Sequence, residues 1–237
     1  MTQHTATAFD ADLRDIANAI VDMGVRSQKQ ITDAIDALVT GNMELAQSVK
    51  AEDASIDTLQ HDIEAKATAT IARRQPLAVD LREIVGALRI ANDLERIGDL
   101  AANIAKRAEQ LGHEKWTDEI KVALKSMTQR VLDQLHHVID SYARKDLFEA
   151  LDVWKRDEEI DALHISIFRQ LLTYMMEDPG NISLGMHLLF CAKNIERIGD
   201  HATNIAESIH YIVQGGSIPG ERPKVGAIPR NNPPSYH

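Results

Sequence analysis

Apolar side chains recur at Phe9, Leu13, Ile16, Ile20, Met23, Ile31, Ala34 and Leu38, mostly three or four positions apart. That spacing holds one stripe on the inner face of an α-helix and predicts a long amphipathic helix over residues 9–38. The stripe stops at "VTGNM", where Gly41 and Asn42 supply turn chemistry. A second helix carries Leu45, Val49, Ile56, Leu59 and Ile63 up to "ARRQP". Pro76 marks its boundary, because the proline ring excludes the α conformation from the preceding residue. A third helix carries Ile90, Leu94, Ile97, Ala101, Ile104 and Ala108 and ends near Gly112.

The same succession then returns. Helices are expected over 118–141, 146–176 and 183–213, with a break at Pro179 between the last two. "EDASIDTL" at 52–59 is matched by "RDEEIDAL" at 156–163, and "DLERIGDLAANIA" at 93–105 by "NIERIGDHATNIA" at 194–206. The pattern predicts an all-α chain of two tandem three-helix bundles, six long helices related by a pseudo-repeat. The expected units are residues 1–112, residues 113–214 and a tail over 215–237. The tail holds five of the seven prolines and has little to bury, so disorder is expected there.

Charge narrows the partners. A net charge of −10 argues against nucleic acid, whose phosphates need clustered Lys and Arg. The N-terminus "MTQHTATAFDADLRD" lacks the positive and apolar regions of a signal peptide, and no apolar run approaches membrane-spanning length. The expected location is the cytoplasm. Cys191, in the apolar run "LLFCA", is expected to be a buried, inert thiol.

The repeated polar letters carry the candidate chemistry. On a helical wheel Ile90, Leu94, Ile97, Ala101 and Ile104 share one line, while Glu95, Asp99 and Asn103 fall near the opposite side. Glu196, Asp200 and Asn204 do the same in the second half. Like charges at i and i+4 destabilise a helix, and a bound cation reverses the sign. Five acidic i,i+4 pairs occur, no more than 36 acidic residues in 237 give by chance. Four of them, Asp53/Asp57, Glu95/Asp99, Asp157/Asp161 and Glu196/Asp200, lie at matching places of the two repeats. If the second and third helices of each bundle pack antiparallel, each bundle gains a four-carboxylate site for a hard cation. A solvated acidic face copied by duplication is the competing reading. Gly98 and Gly199, in mid-helix beside the carboxylates, cost about 1 kcal/mol relative to Ala, which close helix approach or ligand access would offset.

A carboxylate-bridged, ferritin-like metalloenzyme is the alternative chemistry, but it needs paired Glu-x-x-His motifs. Only "DALH", with Asp161 and His164, comes near, and Gln60 stands at the matching place of the first repeat. His201 and the other unmatched histidines read as surface or boundary residues. No nucleophile–base arrangement or phosphate loop is present in the sequence. The run "ARRQPLAVDLRE" places Arg73, Arg74 and Arg82 near a helix start, where they could meet an anion or an acidic partner, or serve only capping and solvation.

The stretch "ARRQPLAVDLREIVGALRIANDLERIGDLAANIAKRA", with its echo "GMHLLFCAKNIERIGDHATNIAE", resembles the PhoU family of phosphate-transport regulators over residues 10–214. The resemblance implies a cytosolic, non-enzymatic protein of two three-helix bundles whose E(D)-x-x-x-D motifs hold metal clusters. By position those motifs are Asp53, Asp57, Glu95 and Asp99, and then Asp157, Asp161, Glu196 and Asp200. Iron or another divalent ion is implied, leaving Fe, Zn, Mn and Mg open. Also implied is a link between the ATPase subunit of the phosphate ABC transporter and a sensor histidine kinase, with the starvation response held off when phosphate is plentiful. Contact with the membrane would come only through those partners, and a homodimer is the expected assembly. The second repeat departs in two ways: "MMEDPGNIS" replaces the arginine-bearing loop, and Asn194 replaces Asp93. The first change confines any partner surface with Arg73 and Arg74 to the first half, the second argues against equal metal nuclearity in the two halves, and the tail lies outside the resemblance.

Overall fold

The computed structural model describes residues 2–220 and 222, with side chains placed from Ala8 onward. Among them the chain forms α1 (Thr2–Thr40), α2 (Met43–Arg74), α3 (Val79–Leu111), α4 (Asp118–Arg144), α5 (Leu147–Lys155), α6 (Asp157–Glu177), a 3-10 turn (Pro179–Asn181) and α7 (Ile182–Gln214). The helices α1–α3 make one bundle and α4–α7 the other.

The local chemistry explains most boundaries. Gly41 takes a positive φ of 68°, and Asn42 caps α2 by accepting a hydrogen bond from the Leu45 amide at 3.0 Å. Ahead of Pro76, Gln75 closes α2 in the left-handed region. Asp146 caps α5 by accepting from the amides of Phe148 and Glu149. The expected fifth helix is broken at Arg156, whose ψ of 3° turns the chain between α5 and α6. No glycine or proline marks this break. On its two sides Trp154 donates to Glu207 of α7 at 3.0 Å, while Ile160 is buried beside Gly199 of the same helix.

One continuous core runs through both bundles, and the stripe Ile90, Leu94, Ile97, Ala101 and Ile104 is fully buried within it. The α3–α7 contact is the most extensive between any two helices, and α1 also packs on α4. Gly86 permits the α3–α7 approach, since a Cβ there would overlap the Ile212 side chain. Helix α3 therefore has neighbours on several sides, α1 and α2 in its own bundle and α7 in the other.

The tail expectation meets the structure only at residues 215–220 and 222; the remaining tail residues lie outside the described set. At the described positions the chain runs along the cleft between α3 and α7. His210 Nδ1 donates to the Gly216 carbonyl at 2.9 Å, Ile218 packs on the core, and Arg222 reaches α6. Ile218 is an apolar anchor in a segment that composition alone marks as disordered. Among the described residues no helix is long and apolar enough to cross a membrane.

Candidate functional site

The first bundle gathers its four carboxylates. Asp53 and Asp57 rise from α2, Glu95 and Asp99 from α3, and Gly98 lets the helices close. A Cβ on Gly98 would stand 3.3 Å from Asp53 Oδ1 and 3.1 Å from the Gln30 amide oxygen. Burial raises the Asp53 carboxyl above its usual range; a hydrogen bond from the Gln30 amide at 3.1 Å opposes this, and Asp99 and Asp57 add repulsion. Glu95 is raised by burial first and by Asp99 next, with Arg96 partly compensating and Asp57 and Asp53 adding smaller repulsions. The four acids thus share one electrostatic neighbourhood.

Glu95 differs from the exposed ridge that the wheel implies: its side chain is only 17% exposed. Asp53 and Asp57 of α2 stand close enough to repel it. Glu95 Oε2 is buried and accepts no hydrogen bond, although Arg96 Nε stands 3.4 Å away. Asp99 is more open and pairs with the other end of the Arg96 guanidinium at 3.2 Å. As placed, no group of three or more His, Cys, Asp or Glu side chains among the described residues could hold a metal ion. The quartet is collected but not closed into a ligand cage.

The second quartet is arranged differently. Asp157, 4% exposed, accepts two hydrogen bonds from Arg222, Nε to Oδ2 at 2.9 Å and a terminal nitrogen to Oδ1 at 2.8 Å. The same nitrogen donates to Asp200 at 2.7 Å, and Thr203 donates its hydroxyl to Asp157 at 3.1 Å. Glu196 lies 2.6 Å from Lys193 Nζ. His164 is half-buried, and burial lowers its pKa; Glu196 and Asp161 act in the opposite sense, while Lys193 reinforces the lowering. Asp161 and Glu196 are therefore coupled to a histidine that the first repeat lacks.

The three arginines have different neighbours. Arg74 pairs with Asp12 of α1 at 3.1 Å and Arg73 reaches the same carboxylate at 3.7 Å. Arg82 packs instead against Gly215 at the end of α7, its Nε buried without a hydrogen-bond partner.

Sequence reasoning passed over a polar junction between the bundles. Asp93 of α3 is buried and accepts from His201 Nδ1 at 2.9 Å and from the Asn204 amide at 3.3 Å, both on α7. Asp93 and Asn204 border a cleft of about 740 Å³, which Arg222 and Trp154 also line. The signal was the mismatch of the repeats: Asp93 is matched by Asn194, and His201 by Leu100. The letters that break the repeat find each other.

Fold and quartets define a duplicated helical-bundle protein whose acidic clusters lie where the second and third helices of each bundle meet. The chain belongs to the PhoU family: the PhoU domain model matches residues 20–108 and again 124–209. It is 48% identical over 221 residues, covering 93% of both chains, to a Rhizobium meliloti (strain 1021) protein named phosphate-specific transport system accessory protein PhoU homolog. The crystal structure of PhoU from Pseudomonas aeruginosa superposes with a TM-score of 0.84 at 38% identity, covering 88% of this chain and 100% of that one. The phosphate transport system regulatory protein PhoU from Streptococcus pneumoniae follows at 0.82 and 26% identity, covering 89% and 99%.

Proposed function

We propose that this chain is a cytoplasmic accessory regulator of a phosphate-specific transport system, without catalytic turnover. The observation that carries the reading is family membership across both repeats, with relatives of nearly equal length that are named for this role. In this reading the chain links the ATPase subunit of the phosphate ABC transporter to a sensor histidine kinase and keeps the starvation response off when phosphate is ample.

The first quartet, Asp53, Asp57, Glu95 and Asp99, is proposed to take a divalent or iron-type cation. The fit rests on the buried Glu95 oxygen that accepts no hydrogen bond and on the raised pKa values of Asp53 and Glu95, both of which favour a positive charge among them. Such a cation would neutralise the acids and hold α2 against α3. An oxygen-only donor set suits Mg or Mn and accepts Fe; Zn is the remaining candidate. A ferritin-like enzyme would need a histidine where Gln60 stands.

For docking, Arg73 and Arg74 form one basic element, balanced by Asp12, and Arg82 forms another near the arm. Pull-down of the purified ATPase subunit and the cytosolic part of the kinase tests the reading. Arg73→Glu/Arg74→Glu and metal chelation should each weaken capture. Unchanged capture by both partners would remove the arginines and the metal from the docking account.

A further inference from the structure

The two acidic clusters carry the same motif but face different partners. In the first, Asp53 meets a neutral amide from Gln30; in the second, the matching Asp157 meets a guanidinium from its own chain. We infer that the second cluster is a guanidinium-binding site, filled in cis by Arg222, which excludes metal ions from Asp157 and Asp200 while the C-terminal arm is seated.

Three features make this a built site. The planar fork of Arg222 matches the Asp157 carboxylate with two near-parallel hydrogen bonds and reaches Asp200 with a third, a geometry that an ammonium cannot reproduce. Thr203 supplies the next donor to Asp157, and the first repeat has Ala102 at that place, so the second site carries a polar support that its twin lacks. The arm that delivers Arg222 is anchored twice on the way, by His210 on the Gly216 carbonyl and by Ile218 on the core, along the cleft between α3 and α7. With both Asp157 oxygens engaged by the guanidinium, a metal ion can approach only after Arg222 leaves.

The guanidinium site stands on this geometry alone; the exclusion of metal rests on the cation reading proposed above. Two measurements on the full chain separate them. In a ¹H–¹⁵N spectrum without metal, one arginine Nε–H should be protected from exchange, and it should vanish both in Arg222→Lys and in Asp157→Asn. Absence of such a signal, with the fold intact by circular dichroism, overturns the proposal. In Mn²⁺ titrations, Arg222→Ala should gain a binding site that the native chain fills about tenfold or more less tightly, from the loss of charge-assisted hydrogen bonds. Adding Asp157→Asn should remove that gain. Equal Mn²⁺ binding by native and Arg222→Ala chains at Asp157 overturns the exclusion. If neither chain binds Mn²⁺ anywhere, the cation reading fails, and the Nε–H signal still decides the guanidinium site.

Discussion

Asp93 and His201 join the two bundles by a hydrogen bond of 2.9 Å between α3 and α7, at two positions where the repeats differ. Asp93 also accepts from Asn204, so its removal leaves two donors beside a buried junction without their acceptor. Asp93→Ala should cost about 1–3 kcal/mol of unfolding free energy. A double-mutant cycle with His201→Ala should show a coupling of roughly 0.5 kcal/mol or more by urea denaturation. Additive losses would mean that the contact is incidental.

Gly86 lies where α3 meets α7, and a methyl group there would overlap Ile212. Gly86→Ala would raise the helix propensity of α3 by about 1 kcal/mol if nothing else changed. Overpacking should win, with a net loss of about 2 kcal/mol, roughly 4–8 °C in melting temperature for a chain of this size. Ile212→Val in the same background should recover part of the loss.

The metal-free first quartet should make stability depend on pH in a definite direction. Burial and mutual repulsion raise Asp53 and Glu95 in the folded state, so the folded chain takes up protons before the unfolded one as pH falls. The resulting gain is complete below the ordinary carboxylate values of about 4 and is lost as pH rises through the raised folded values. With chelator present, Asp53→Asn/Glu95→Gln should therefore melt higher than the native chain at neutral pH, and the difference should shrink on acidification. A difference of the opposite sign would show that the acids are stabilised by their neighbours.

Cys191 is fully buried, and burial pushes its thiol up to about 12. Ellman's reagent at mildly alkaline pH should leave the folded protein unlabelled and modify one thiol per chain in denaturant. Because an unfolded thiol ionises near 8.5 while the folded one stays protonated, this residue should also lower stability progressively above that pH. Rapid labelling of the folded chain would contradict its burial.

Periodicity made the helices and the stripe from Ile90 to Ile104 legible, and Gly41, Asn42 and Pro76 marked breaks that chemistry alone predicts. What escaped depends on a second neighbour. A helical wheel places Glu95 away from the apolar stripe, yet α2, with Asp53 and Asp57, stands beside it and the residue is mostly buried. The turn at Arg156 carries no breaker residue, and packing on α7 sets it. Arg222 sits in a stretch of prolines and glycines, and only the fold brings it to Asp157, 65 positions back. The mismatched letters Asp93 and His201 were visible as departures from the repeat; their meeting was not.

The role proposed for this chain is restraint of the phosphate-starvation response. A reporter fused to a phosphate-starvation promoter, read in ample phosphate in a strain lacking the chain, tests it most directly. The reporter should be on without the chain, off when the native chain is restored, and on again when Glu95→Gln/Asp99→Asn is supplied at equal abundance. A reporter that stays off without the chain would contradict the account.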